Sequence, residues 1–364
     1  MKTGSRSVLK TPVLKTLVAG AALASTLFAS AATAAPKKDF NVAWTIYVGW
    51  MPWPYAEQSG IVKKWADKYG ITLHITQIND YVESINQYTA GKFDGVTVTN
   101  MDALTIPAAG GVDTTAVIVG DFSNGNDGII LKDKTKLADI KGQKVNLVQF
   151  SVSHYLLSRG LSTVGLAEKD ITTVNTSDAD IVATYSAKDT TALVTWNPQL
   201  STIKAEPGAH LVFNSSQIPG EIIDTMAVNT QTLKDNPALG KALVGIWYDT
   251  LKVLADPGPA GKAARAAMAQ ASGGSLESFE GQLKTTRMFY TPKEAVAFTT
   301  SPSLVKTMDL VRTFSFDHGL LGQDVKSKDV VGIGFPGTAT LGDAKNIKLR
   351  FDATYMKLAA EGKL

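Results

Sequence analysis

The feature that most constrains this chain is a strand–helix alternation that runs, stops at a turn and starts again. Residues 41–55 open it. Val42, Trp44, Ile46 and Val48 alternate with Ala43, Thr45 and Tyr47, a period of two that predicts a strand. Gly49 ends the run, and Pro52 and Pro54 fix φ and remove donors. Residues 50–55 therefore read as a rigid loop carrying Trp50, Trp53 and Tyr55. A helix over 57–68 follows, with Ile61, Val62 and Trp65 on one face. Strands over 71–77, 95–99 and 112–120 come next, with helix starts at Asn79-Asp80-Tyr81 and Asn100-Met101-Asp102 between them. This rhythm predicts a parallel sheet with helices on both faces.

Gly125-Asn126-Asp127-Gly128 interrupts the rhythm as a turn. It restarts with strands at 129–131, 145–149, 171–174, 192–196 and 210–213, and a strand over 225–229 returns elsewhere. Beyond residue 232 the pattern is helical. The expected architecture is α/β, with two lobes, the second inserted into the first. Residues 39–128 plus 225–364 would form lobe one, including a helical C-terminal part, and 129–224 lobe two. Each lobe would be a mainly parallel sheet flanked by helices. Crossings near 127–132 and 224–230 would make a hinge around which the lobes close on a ligand. Open α/β sheets bind ligands at the carboxyl ends of their strands, so those ends define the candidate site.

The N-terminus reads as an export segment. Lys2, Arg6, Lys10 and Lys15 precede an apolar stretch over 17–29, and Ala32-Thr33-Ala34 offers a small-x-small cleavage site. Cleavage after Ala34 would leave 330 of the 364 residues. The formal net charge of +3 includes the four positive charges of that segment, so the remainder sits one unit below neutrality. That balance removes the composition argument for nucleic acid. Cysteine is absent, which excludes a lipid-modified N-terminal cysteine, disulfides and thiolate metal sites. The expectation is a periplasmic, monomeric protein that is not a lipoprotein.

The strand-end candidates are Trp50, Trp53 and Tyr55; Asp80 and Tyr81; Asn100 and Asp102; Asp121; Ser151, Ser153 and His154; and Trp196 and Asn197. Glu221 and Asp224 stand just before the second crossing. Several have structural alternatives. Asp80, Asp102 and Ser151 can cap helices, Asp121 can serve the adjacent turn, Trp196 can be core, and His154 can be a structural hydrogen-bonder. Trp44, Trp65 and Trp247 lie on periodic apolar faces and read as core. Neither a Gly-x-Ser-x-Gly elbow nor a His-Glu-x-x-His, phosphate-loop or dinucleotide fingerprint occurs, so no enzyme, cofactor or metal is expected.

Three segments carry a family resemblance. Leu137-Ala-Asp-Ile-Lys-Gly-Gln-Lys-Val145 resembles the "DLKGKKV" segment of periplasmic solute-binding proteins of ABC importers. Ala90-Gly-Lys-Phe-Asp-Gly95 resembles their turn before the third strand, and residues 192–198 resemble their strand ending in Trp-x-Pro. The chain is most similar to the nitrate/sulfonate/taurine-type group. Its Trp-Met-Pro-Trp-Pro-Tyr segment resembles members tied to urea-carboxylase operons. The resemblance implies the two-lobed type II binding-protein fold, a permease with its ATPase as partner, and urea or guanidine as cargo. Nitrate or a sulfonate is the alternative within the family, and a secreted enzyme on the same fold the alternative outside it. The arginines are Arg6, Arg159, Arg265, Arg287, Arg312 and Arg350, and none falls in an expected strand-end loop. Arginine is the usual side chain for bidentate capture of anions. Carboxylates with aromatic faces suit a planar cation instead. An anion would depend on the helix start at Ser151–Ser153.

Overall fold

The computed structural model describes residues 37–364, and the export segment expected over residues 1–34 lies outside the described residues. Four strands come first: Asp39–Trp44 (β1), Thr72–Gln77 (β2), Gly95–Thr99 (β3) and Thr114–Ser123 (β4). The next five are Asp127–Lys132 (β5), Lys144–Leu147 (β6), Thr172–Asn175 (β7), Ala192–Trp196 (β8) and Ala209–Asn214 (β9). The last five are Ile223–Asn229 (β10), Thr286–Met288 (β11), Gly332–Gly334 (β12), Thr340–Leu341 (β13) and Ile347–Phe351 (β14). They build two sheets. The larger has the order β13-β12-β14-β4-β10-β3-β1-β2, with β11 on β4, and the smaller has the order β7-β6-β8-β5-β9.

Both sheets are mixed rather than mainly parallel. The βα units pair in parallel, β1 with β2 and β3, and β6 with β7 and β8. The strands beside the crossings run the other way. β10 is antiparallel to both β3 and β4, and β5 to both β8 and β9. A strand that re-enters a sheet from the other lobe arrives at the carboxyl edge and must run back down it. The chain passes between sheets at residues 124–126 and 215–222, a few residues before the expected crossings at 127–132 and 224–230. The expected crossing residues are themselves strand residues of β5 and β10. The C-terminal part is helical but also adds β11–β14 to the larger sheet. These strands have two to five residues, and three of them carry a glycine or a charge, so they show little period-two signal.

The segment after β1 departs from expectation. Residues 50–55 are not a loop: Val48–Trp50 is a 3-10 turn, and Pro52–Gln58 is an α-helix with Pro52 at its first position. The first turn of a helix has free N–H groups, so prolines there remove no hydrogen bond. The expected single helix over 57–68 is broken at Gly60, whose φ of +79° no helix interior accepts. A second helix, Ile61–Tyr69, follows. Both pack against the long helix Pro237–Leu254, where the Trp65 indole donates to Asp249 at 2.7 Å. Trp44, Trp65 and Trp247 are buried there as expected. No helix among the described residues is long and apolar enough to cross a membrane.

Candidate functional site

A narrow chamber lies between the sheets. It leaves about 20 Å³ for the centre of a water-sized sphere. Its walls are Tyr47, Trp50, Tyr81 and Trp196, with Thr99, Val152 and Ile222 between them and the carboxylates of Asp127 and Asp224. The rings form a continuous chain. Tyr47 meets Trp50 edge-on at 5.0 Å, Trp50 meets Tyr81 at 5.9 Å, and Tyr81 meets Trp196 edge-on at 5.6 Å. Tyr47, Trp50 and Tyr81 come from the first lobe and Trp196 from the second, so the chamber exists only when both lobes are in contact. None of the lining residues is basic. A second cavity of about 10 Å³ lies behind, sharing Trp50 and Asp224 and bounded by Asp121, Trp53 and Trp247. Gly49 allows this packing, because a Cβ there would stand 2.4 Å from the Tyr47 ring and 2.7 Å from Asp121 Oδ2.

Four buried aspartates surround the chamber. Asp102 accepts from the hydroxyls of Tyr81 and Thr99, both at 2.8 Å. Burial raises it to about 6 despite these donors. Asp127 accepts from the Ser123 hydroxyl, and burial raises it likewise to about 6. Asp121 accepts from the Tyr47 hydroxyl at 2.9 Å and is pushed by burial to about 7. Asp224 faces Asp121 across β4 and β10. Burial first, then the Asp121 charge, raises it well above the carboxylate range. No lysine or arginine contributes to the balance of any of the four. An uncompensated buried charge is costly, so this cluster must hold protons or a cation.

Of the expected site residues, Trp50, Tyr81, Trp196 and Asp224 line the chamber. Asp102 and Asp121 stand directly behind the lining, and Asp121 lies inside β4 rather than at a strand end. The others do not meet them. Trp53 is core, stacked on Trp247 at 5.3 Å, because its place in the helix Pro52–Gln58 turns it toward the helix Pro237–Leu254. Tyr55, on the same helix, does not line the chamber. Asp80 is the N-cap of the helix Tyr81–Thr89, accepting from the Glu83 N–H at 2.8 Å. Asn100 holds the second crossing, donating to the Glu221 carbonyl and accepting from the Ile223 N–H. Ser151 caps the helix Val152–Thr163 by accepting from the Ser153 N–H, and Ser153 is buried beneath it. His154 accepts from the Phe150 N–H at its Nδ1 and turns its Nε2 to Glu168 at 3.1 Å. Asn197 accepts from Ser201 and donates to Thr285. Glu221 is held by the Arg159 guanidinium at 2.8 and 3.0 Å and by the Tyr155 hydroxyl.

Tyr47, Thr99, Asp127, Val152 and Ile222 escaped the sequence reading. Tyr47 sits in the alternating run after β1, and Asp127 in a turn motif that explains an aspartate by itself. Only Asp127's place beside a crossing marks it, and nothing local marks Tyr47.

Two carboxylates face a helix start of the opposite lobe, one of them through a hydrogen bond. Asp178, in the second lobe, accepts from the Tyr81 N–H at the start of the helix Tyr81–Thr89, at 3.3 Å. Asp102, in the first, is favoured in its charged form by the Val152 N–H, at the start of the helix Val152–Thr163. A helix N-terminus carries free N–H groups and about half a positive charge, so a carboxylate is its natural partner.

A family model described as NMT1/THI5 like matches residues 60–280. A protein of Brucella abortus (strain 2308) that carries the name of a binding protein is 26% identical over 148 residues, 40% of this chain and 46% of the relative. The matched region thus spans less than half the length of that relative. The alkanesulfonate-binding protein SsuA from Xanthomonas axonopodis pv. citri superposes with a TM-score of 0.66 at 18% identity, covering 79% of this chain and 96% of that one. The nitrate-binding protein NrtA from Synechocystis PCC 6803 does so with a TM-score of 0.56 at 13% identity, covering 91% and 100%. At these identities the likeness is one of fold: the two-lobed α/β fold of periplasmic binding proteins.

Proposed function

We propose, for a chain that belongs to the NMT1/THI5 like family, that it is the solute-capturing component of an ABC importer and that its cargo is a small planar nitrogen-rich compound. Guanidinium fits best and urea second. It would work in the periplasm as a monomer, delivering cargo to a permease with its ATPase and catalysing nothing. One observation carries the reading: Asp127 and Asp224 share a chamber with four aromatic rings and no basic side chain. Guanidinium stacked on such a ring gains about 0.5–2 kcal/mol, and its rim of N–H groups matches paired carboxylate oxygens. Urea has the same outline but no charge for the aspartates to balance. The single arginine on a helix that opens at the chamber, Arg159, is already bound to Glu221 and offers an anion nothing.

A thermal-shift series with guanidinium, urea, taurine and nitrate tests this, because a ligand that binds only the folded state raises its melting temperature. Guanidinium is expected to give the largest rise. A rise with taurine or nitrate, and none with guanidinium or urea, would overturn the proposal.

A further inference from the structure

Asp121 and Asp224 are direct partners across β4 and β10, so their side chains leave the same face of the sheet, and both border the cavity behind the chamber. Two ionised carboxylates held side by side and out of water repel each other, and one proton between them removes that cost. The surroundings agree. Tyr47 faces the pair from the segment after β1 and donates its proton to Asp121 Oδ1. Asp127 faces it from the start of β5 as a further acid, and Tyr290 from beyond β11. Arg287, on β11, is half-exposed and paired with Glu294 at 3.1 Å. Asp121 Oδ2 has no hydrogen-bond partner among the described residues. Asp224 also lines the chamber, whereas Asp121 lies behind it.

We propose that this pair makes capture an exchange: the empty chamber holds one proton between Asp121 and Asp224, and a guanidinium-class cation displaces that proton to solvent as it binds. The inference rests on the cationic reading of the cargo. The O–H bond of the shared proton breaks, its electron pair stays on the carboxylate, and the proton passes to water or buffer. One positive charge enters as one leaves, so the buried cluster keeps its net charge. Asp121 is a positioning residue here, acting on the cation through Asp224. Protons then compete with the cargo. Affinity for guanidinium rises with pH, by roughly tenfold per unit while the pair holds its proton, and levels off above its titration. Neutral urea leaves the proton in place and binds with no such slope.

Calorimetry with guanidinium chloride at pH 6.5, in two buffers of different ionisation enthalpy, counts the released protons. The wild type is expected to release between about half a proton and one per cation bound. In Asp121→Asn the amide donates to Asp224, which then needs no proton. Release should fall close to zero and the pH slope should flatten, while guanidinium still binds. Urea should give the same heat in both buffers. Equal guanidinium heats in the two buffers for the wild type overturn the exchange and leave the cationic reading standing. The absence of any guanidinium heat at every pH overturns both. If Asp121→Asn does not fold, the wild-type buffer comparison decides alone.

Discussion

Replacing Asp127 by Asn tests the charge of the chamber most directly. Asp127 is buried, lines the chamber and is not part of the shared-proton pair. Its hydroxyl partner, Ser123, can donate to the amide oxygen as well as to the carboxylate, so the packing survives the change. At pH 8 the wild-type carboxyl is ionised, since burial pushes it only to about 6. A unit charge about 4 Å from a cation is worth ~4 kcal/mol at an effective dielectric of about 20. That agrees with the roughly 2–5 kcal/mol lost when one partner of a buried charged pair is removed. Guanidinium affinity should therefore fall by about 30- to 4000-fold. Urea meets only an exchange of one acceptor for another. Its loss should stay near the worth of one neutral hydrogen bond, about 0.5–1.5 kcal/mol, or roughly two- to tenfold. Titration calorimetry of both ligands on both proteins gives the two ratios. If guanidinium and urea weaken by the same factor, Asp127 acts by shape and the electrostatic argument is wrong.

Trp50→Ala should weaken guanidinium and urea alike, by about 1–3 kcal/mol in calorimetry, because a stacking wall serves both. Trp53→Ala should do the reverse of what its sequence position suggests. Buried against Trp247, it should cost about 3–5 kcal/mol of stability in denaturant unfolding, with guanidinium affinity nearly unchanged. Glu168→Gln should lower the melting temperature in a pH-dependent way. Glu168 stands against His154 and His318, and its folded-state pKa of about 2 lies below the ordinary 4.5. Its contribution is thus present above pH 4.5 and lost as pH falls toward 2. His318 is raised above 6.5, with the Glu168 hydrogen bond and charge lifting it against burial, so its share is present below 6.5 and lost as pH rises through its folded value. The melting-temperature deficit of the variant should be largest between about pH 4.5 and 6.5. A deficit constant from pH 3 to 9 would exclude the ion pair as its source.

The elements that position the site were legible where their signal is local. Strand β3 and the helix Tyr81–Thr89 follow from alternation and an aspartate cap, and Tyr81 and Trp196 fall at the strand ends where α/β ligands bind. What was not legible is non-local. Pro52 and Pro54 are consistent with either a loop or the first turn of a helix, and only packing against Trp247 selects the helix and turns Trp53 inward. The pairing of Asp121 with Asp224 joins residues about a hundred positions apart through an antiparallel register that no periodicity announces. Asp127 was hidden by a turn motif that accounts for an aspartate without any ligand.

The two lobe-to-lobe caps bear on the anion alternative more than the arginine census does. An anion in this fold would depend on the start of the helix Val152–Thr163, where Val152 meets the chamber. In this chain the Ser153 N–H already goes to the Ser151 hydroxyl, and the Val152 N–H stands near enough to Asp102 to favour its charged form. Asp102 is thus an acid directly behind the place where a nitrate or sulfonate would have to sit, held by Tyr81 and Thr99 at 2.8 Å. An anionic ligand would have Asp102 behind it and would lie beside Asp127 and Asp224. A cation meets neither obstacle. The same placement links closure and charge: the chamber takes residues from both lobes, and its acids are Asp127 and Asp224 with Asp102 and Asp121 behind them. Closure on an anion would therefore bring like charges together, whereas closure on guanidinium would balance them.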